Sequence, residues 1–133
     1  MAKSKLKDYI YRPEFECMTR TEMENLQSER LRKTVELVYN NCKPYRAKMD
    51  EFKIKPSDIK SVSDLSKLPF TVKHDLREAY PFGFYSSPSR DIVEVHASSG
   101  TTGKLTVVGY TQNDIDVWAE IPARSLAMAG VTK

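Results

Sequence analysis

Residues 98–104 read Ser98, Ser99, Gly100, Thr101, Thr102, Gly103 and Lys104, which puts four hydroxyls, two glycines and one lysine into seven positions. These types share one chemistry. Glycine lets the backbone turn sharply and approach a ligand. Successive N–H groups in such a turn form a concavity that accepts an anion, while hydroxyls and an ammonium add donors and a compact positive charge. A polyphosphate needs that combination. A polar hairpin turn with no ligand has the same composition, and the residue types alone leave both readings open. The segment is not a Walker-type loop, where four residues separate the glycines and Ser or Thr follows Gly-Lys. Here only Thr101 and Thr102 separate Gly100 from Gly103, and Leu105 follows Lys104.

The other reactive side chains carry weaker signals. His96 borders the segment and is read as a strand histidine, with the orienting of a hydroxyl as the alternative. His74 sits among Lys73, Asp75, Arg77 and Glu78 and reads as surface. Asp114 and Asp116, two apart, do not share a helical face. Cys17 and Cys42 form no Cys-x-x-Cys pair, so they read as free thiols, and no metal site is expected. Ile115, Trp118 and Leu126 are expected to face a core rather than to line an aryl pocket.

The elements that must hold residues 98–104 follow from periodicity. Ile92, Val93 and Val95 alternate with polar residues before the segment, and Thr106, Val107, Val108, Gly109 and Tyr110 follow it, so two strands form a hairpin with an oversized turn. Thr111 then caps a long helix with Asp114 at its third position, and Gly130 suits its C′ end. Pro122 predicts a kink or break in that helix. Upstream, Thr21 and Glu24 form a capping pattern that opens an amphipathic helix on Leu31, Val35, Val38 and Cys42, stopped before Pro44. A short helix over 45–52, turns on Ile59, Val62, Leu65 and Leu68, and a helix over 72–79 capped by Thr71 complete the helical part.

The chain has 133 residues, 40% of them hydrophobic, which suits one ordinary domain and excludes a disordered tail. No apolar run reaches membrane-spanning length, and the start lacks the apolar stretch of a secretory signal. Of 21 basic and 18 acidic residues, 18 and 13 lie in residues 1–90, and the longest basic cluster is only Lys3, Lys5 and Lys7. A charge this diffuse argues against a nucleic-acid track. With no membrane segment and only two thiols, a cytoplasmic location is expected.

Residues 96–104, followed by Thr106, Val107, Val108, Gly109, Tyr110 and Thr111, resemble the phosphate-binding region of phenylacetate–coenzyme A ligases, within the adenylate-forming superfamily of acyl-CoA synthetases and luciferases. Leu68-Pro69-Phe70-Thr71, Asp75-Leu76-Arg77, Tyr80-Pro81-Phe82-Gly83 and the stretch from Asp114 to Trp118 resemble the same subgroup. Leu105 departs from it, since proline usually follows the lysine there. The resemblance implies that Ser98, Ser99, Gly100, Thr101, Thr102, Gly103 and Lys104 hold the β- and γ-phosphates of ATP, with Mg²⁺ and coenzyme A as co-substrates and an aryl carboxylic acid as the group activated. It also implies an α+β fold: an N-terminal helical segment over 1–80, then over 81–133 the start of the large adenylate-forming domain, a β-hairpin with its phosphate-binding loop and a long C-terminal helix.

The resemblance carries no adenine, ribose or thioester-forming site within these residues, so the chain reads as the front piece of a ligase and is expected to be inactive alone. A non-catalytic interaction or assembly module is the alternative. A two-stranded hairpin leaves open edges, so a homo-oligomer or strand-exchanged dimer is expected.

Overall fold

The computed structural model describes residues 10–98 and 105–131. Helix α1 (Pro13–Glu16) leads into the long α2 (Arg20–Asn41), and α3 (Lys43–Glu51) turns back beside it. Two 3₁₀ turns, Pro56–Asp58 and Val62–Lys67, precede α4 (Lys73–Glu78). A third turn, Ser89–Asp91, feeds β1 (Ile92–Ser98), which pairs antiparallel with β2 (Thr106–Thr111) before α5 (Gln112–Met128). This is an α+β arrangement with a two-stranded sheet among the described residues.

α2 begins two residues earlier than Thr21 predicts. Its cap is Thr19: the Glu22 N–H donates to Thr19 Oγ1 at 3.2 Å, and the Thr19 N–H donates to Glu22 Oε2 at 2.8 Å. The sequence holds two overlapping Thr-x-x-Glu patterns, and the upstream one takes the cap, leaving Glu24 to pair with Arg20. The predicted inner face is right. Val35 and Cys42 are buried, and Val35 forms a core with Met49 and Ile59, against which Leu31, Tyr39, Tyr45, Ile54 and Leu68 pack. Polar ties lock the 3₁₀ turns onto α2: the Val62 N–H donates to Ser28 Oγ at 3.0 Å, and the Arg32 guanidinium donates to the Lys60 carbonyl at 2.7 Å.

Thr71 does not cap α4. That position is Val72, whose N–H donates to the Asp75 carboxylate at 2.8 Å, and Asp75 in turn pairs with Lys48 of α3. A carboxylate at the third helical position satisfies the orphan N–H on its own, so no hydroxyl is required. Of the kink or break expected at Pro122, the break does not occur: α5 runs through that residue as one continuous helix. Its start and end follow the sequence. Thr111 and Asp114 form a reciprocal capping box. Gly130, at φ 89°, closes a Schellman turn in which the Val131 N–H donates to the Leu126 carbonyl at 3.0 Å and the Gly130 N–H to that of Ala127 at 2.9 Å.

Candidate functional site

The hairpin brings together Ser98, the first residue of the segment singled out above, and Thr106, which follows it. β1 and β2 pair with Ser98 opposite Thr106, Ala97 opposite Val107 and His96 opposite Val108. Ser98 is exposed at the end of β1. The other six residues named for phosphate binding, Ser99 through Lys104, lie outside the described residues, as do Lys3, Lys5 and Lys7.

Alternation along a strand sends every second side chain to one face, so Glu94, His96 and Ser98 share a face with Tyr110, Val108 and Thr106. α5 lies on that face. The His96 ring meets Tyr110 edge-on at 5.0 Å and Trp118 at 5.5 Å, and Tyr110 stacks on Trp118 at 5.5 Å with only 20° between planes. Glu94 pairs with the His96 imidazole at Nε2. His96 is thus half-buried in an aromatic cluster one register step from Ser98, consistent with a strand histidine. Thr106, opposite Ser98, keeps its hydroxyl buried with no hydrogen-bond partner among the described residues.

The other face packs on the segment before β1. Tyr85 lies against Gly109 so closely that a Cβ at 109 would stand 2.6 Å from Tyr85 Cζ. Burial holds the Tyr85 hydroxyl above its ordinary pKa, and its oxygen has no partner among the described residues. A cavity of about 210 Å³ beside it is lined by Leu76, Tyr85, Ile92, Val107, Gly109 and Thr111. Sequence reading named neither Tyr85 nor the Tyr110–Trp118 stack. The available signal was Gly109, since a glycine inside a strand pattern marks a close approach of another group.

The remaining candidates stay apart from the hairpin mouth. His74 is exposed beside Glu78. Cys17 is exposed and Cys42 buried, both unpaired, and burial raises the Cys42 thiol pKa. Of the three α5 residues expected to face a core, Ile115 is partly buried, Trp118 stacks on Tyr110 yet stays about half exposed, and Leu126 is also about half exposed. No group of three or more His, Cys, Asp or Glu that could hold a metal occurs among the described residues, and none of the described helices is long and apolar enough to cross a membrane.

The fold and the sequence place this chain beside the CoA ligases that work through acyl-adenylates. Superposition on 2-hydroxyisobutyryl-CoA ligase, solved in an open conformation with 2-HIB-AMP and CoA, gives a TM-score of 0.80 at 29% identity, covering 92% of this chain and 29% of that one. Within that class the sequence is similar to phenylacetate–coenzyme A ligases. Identity is 50% over 121 residues to the ligase of Thermus thermophilus, covering 91% of this chain and 27% of the relative, and 53% over 109 residues to that of Escherichia coli, covering 82% and 25%. The chain therefore spans about a quarter of the length of these curated relatives. No protein-family model matches it.

Proposed function

We propose that the chain is the N-terminal part of a phenylacetate–CoA ligase, an acid–thiol ligase, and that Ser98, Ser99, Gly100, Thr101, Thr102, Gly103 and Lys104 bind the β- and γ-phosphates of ATP. The observation that carries this reading is 50% identity to a phenylacetate–CoA ligase over 121 residues, joined to a hairpin that holds Ser98 directly opposite Thr106. The boundary near residue 80 separates the helical core from this hairpin unit.

A carboxylate is a poor electrophile until one of its oxygens becomes part of a good leaving group. In the proposed reaction a carboxylate oxygen of the aryl acid attacks the α-phosphorus of ATP, the bond to the bridging oxygen breaks, and pyrophosphate leaves with the electron pair. Negative charge grows on the departing phosphates, and backbone N–H groups, hydroxyls and the Lys104 ammonium would stabilise it where it develops. The thiol of coenzyme A then displaces AMP from the acyl-adenylate to give the thioester. Among the described residues no group of three or more His, Cys, Asp or Glu stands ready for the Mg²⁺ that the resemblance implies. Such chemistry, with small soluble substrates, suits a cytoplasmic enzyme. Alone, the chain is catalytically incomplete and associates with itself through its open strand edges.

Titration of the isotope-labelled chain with ATP and with pyrophosphate, followed by NMR, tests the loop. Shifts centred on residues 98–104, weakened in Lys104→Ala, are expected. A charged hydrogen bond of about 1.5–3 kcal/mol corresponds to a ten- to hundredfold loss in affinity. Unchanged affinity in Lys104→Ala would remove the lysine from the site.

A further inference from the structure

Strand alternation sends Val107, Gly109 and Thr111 to the face of the hairpin away from Ser98 and Thr106. Between that face and the segment before β1 lies the cavity of about 210 Å³. Leu76, Phe84, Ile92 and Val107 give it apolar walls. An apolar cavity of about 150 Å³ takes up benzene, so this one has room for a single six-membered ring with a short substituent. Tyr85 and Gly109 stand side by side on its wall, the Tyr85 oxygen lying 2.7 Å from where a Gly109 Cβ would be. That hydroxyl is buried and has no hydrogen-bond partner among the described residues. A buried O–H without an acceptor is costly, and a ligand that brings an acceptor removes the cost. Charge narrows the choice. None of the described residues lining the cavity is Lys, Arg or His, whereas the exposed Asp114 carboxylate does line it. An anion would enter against that carboxylate with no cation to offset its desolvation. Thr111 Oγ1 already donates to Asp114 Oδ2 in the cap of α5, which leaves Tyr85 as the buried donor in need of a partner.

We propose that this cavity is a binding site for a small neutral molecule with one six-membered ring and one hydrogen-bond acceptor, the ring held among Leu76, Phe84, Ile92 and Val107 and the acceptor on the Tyr85 O–H. The aryl acid of the proposed reaction is not its ligand, because a carboxylic acid is ionised at neutral pH. Water is the competing occupant. A buried water needs about two to four polar partners, and beside Tyr85 the wall offers only the Ser86 and Ser87 hydroxyls against a largely apolar surface. A ring that replaces such water gains apolar burial, and its acceptor keeps the Tyr85 hydrogen bond. The ligand would touch Val107 and Gly109 of β2, whose partners across the ladder, Ala97 and Val95, lie on the strand that ends at Ser98. Occupancy therefore braces the hairpin. The site stands independently of the ligase reading.

Chemical-shift titration of the isotope-labelled chain tests this with three single-ring probes. Acetophenone brings a carbonyl acceptor, ethylbenzene has the same ring without one, and phenylacetate brings a negative charge. Acetophenone is expected to shift Leu76, Val107 and Gly109 saturably and to bind more tightly than ethylbenzene, with phenylacetate the weakest. Tyr85→Phe should lower acetophenone affinity about two- to tenfold, the worth of one neutral hydrogen bond, and leave ethylbenzene unchanged. A purely structural role for Tyr85 would move both probes alike. Ser87→Leu sets an isobutyl group on the cavity wall and should abolish binding of both probes with Tyr85 left in place. Acetophenone that leaves these residues unshifted up to its solubility overturns the proposal and makes water the occupant. So do phenylacetate bound at the same residues as tightly as acetophenone, equal losses for both neutral probes in Tyr85→Phe, and undiminished binding in Ser87→Leu. Saturable shifts with a selective loss in Tyr85→Phe support the site whether or not the chain binds ATP.

Discussion

Gly109→Ala should destabilise the chain although alanine is the better strand residue. Removing glycine's backbone freedom from a compatible site stabilises by about 0.4–1 kcal/mol. The new methyl, however, would stand 2.6 Å from Tyr85 Cζ, 2.7 Å from its oxygen and 2.8 Å from Cε2. To clear the methyl the ring would have to shift against Phe82, which packs on it at 5.2 Å, or into the neighbouring cavity, and its hydroxyl is already buried without a partner among the described residues. Overpacking of this kind costs about 1–3 kcal/mol, so the clash wins and a net loss of about 1–2 kcal/mol is expected. Urea denaturation followed by circular dichroism measures it. In a Tyr85→Leu background the obstacle is gone, and Gly109→Ala should become neutral or stabilising, giving a coupling of about 1 kcal/mol or more between the two sites. A neutral Gly109→Ala in the native background, or the same loss in both backgrounds, would refute the reasoning.

Met49→Ala should cost about 2–5 kcal/mol in the same assay, because Met49 is 0% exposed at the centre of the helical core, whereas Phe70→Ala, at a side chain 91% exposed, should stay within about 0.5 kcal/mol. Thr19→Ala and Thr111→Ala should each cost about 1 kcal/mol by removing a reciprocal helix cap. Lys48, and then the Val72 N–H, hold the Asp75 carboxyl below the usual carboxylate pKa. Its contribution to stability is therefore complete above the unfolded value near about 3.9 and is lost as pH falls through the lower folded value. Acid titration of stability should flatten at that end in Asp75→Asn, and an unchanged profile would remove Asp75 from the acid response. Light scattering should show concentration-dependent self-association of the isolated chain, and a strictly monomeric chain would contradict it.

Where one local interaction decides an element, its placement was legible in the sequence. Thr111 with Asp114, and Gly130 after the last turn, set both ends of α5, and alternation of β-branched residues placed β1 and β2 to within about two residues. Competing local solutions misled. Two Thr-x-x-Glu patterns overlap at the start of α2, and at α4 the Asp75 carboxylate takes the role assigned to the Thr71 hydroxyl. Pro122 occupies α5 without interrupting it. Tertiary neighbours were the least legible. Tyr85 meets Gly109 across 24 positions, and Trp118 joins His96 across 22; no periodicity reports such pairs. At the candidate site, hydroxyl, glycine and lysine content suggested an anion site, the resemblance suggested which anion, and the hairpin supplied the frame that holds Ser98 opposite Thr106.

The most direct test of the account is phenylacetate-dependent ATP–pyrophosphate exchange by a full-length chimera in which this chain replaces the matched 109 residues of the E. coli ligase. The account predicts robust exchange that depends on phenylacetate and falls about ten- to hundredfold in Lys104→Ala while the fold is retained. A folded chimera without exchange, or one in which Lys104→Ala exchanges at the unmodified rate, would contradict it.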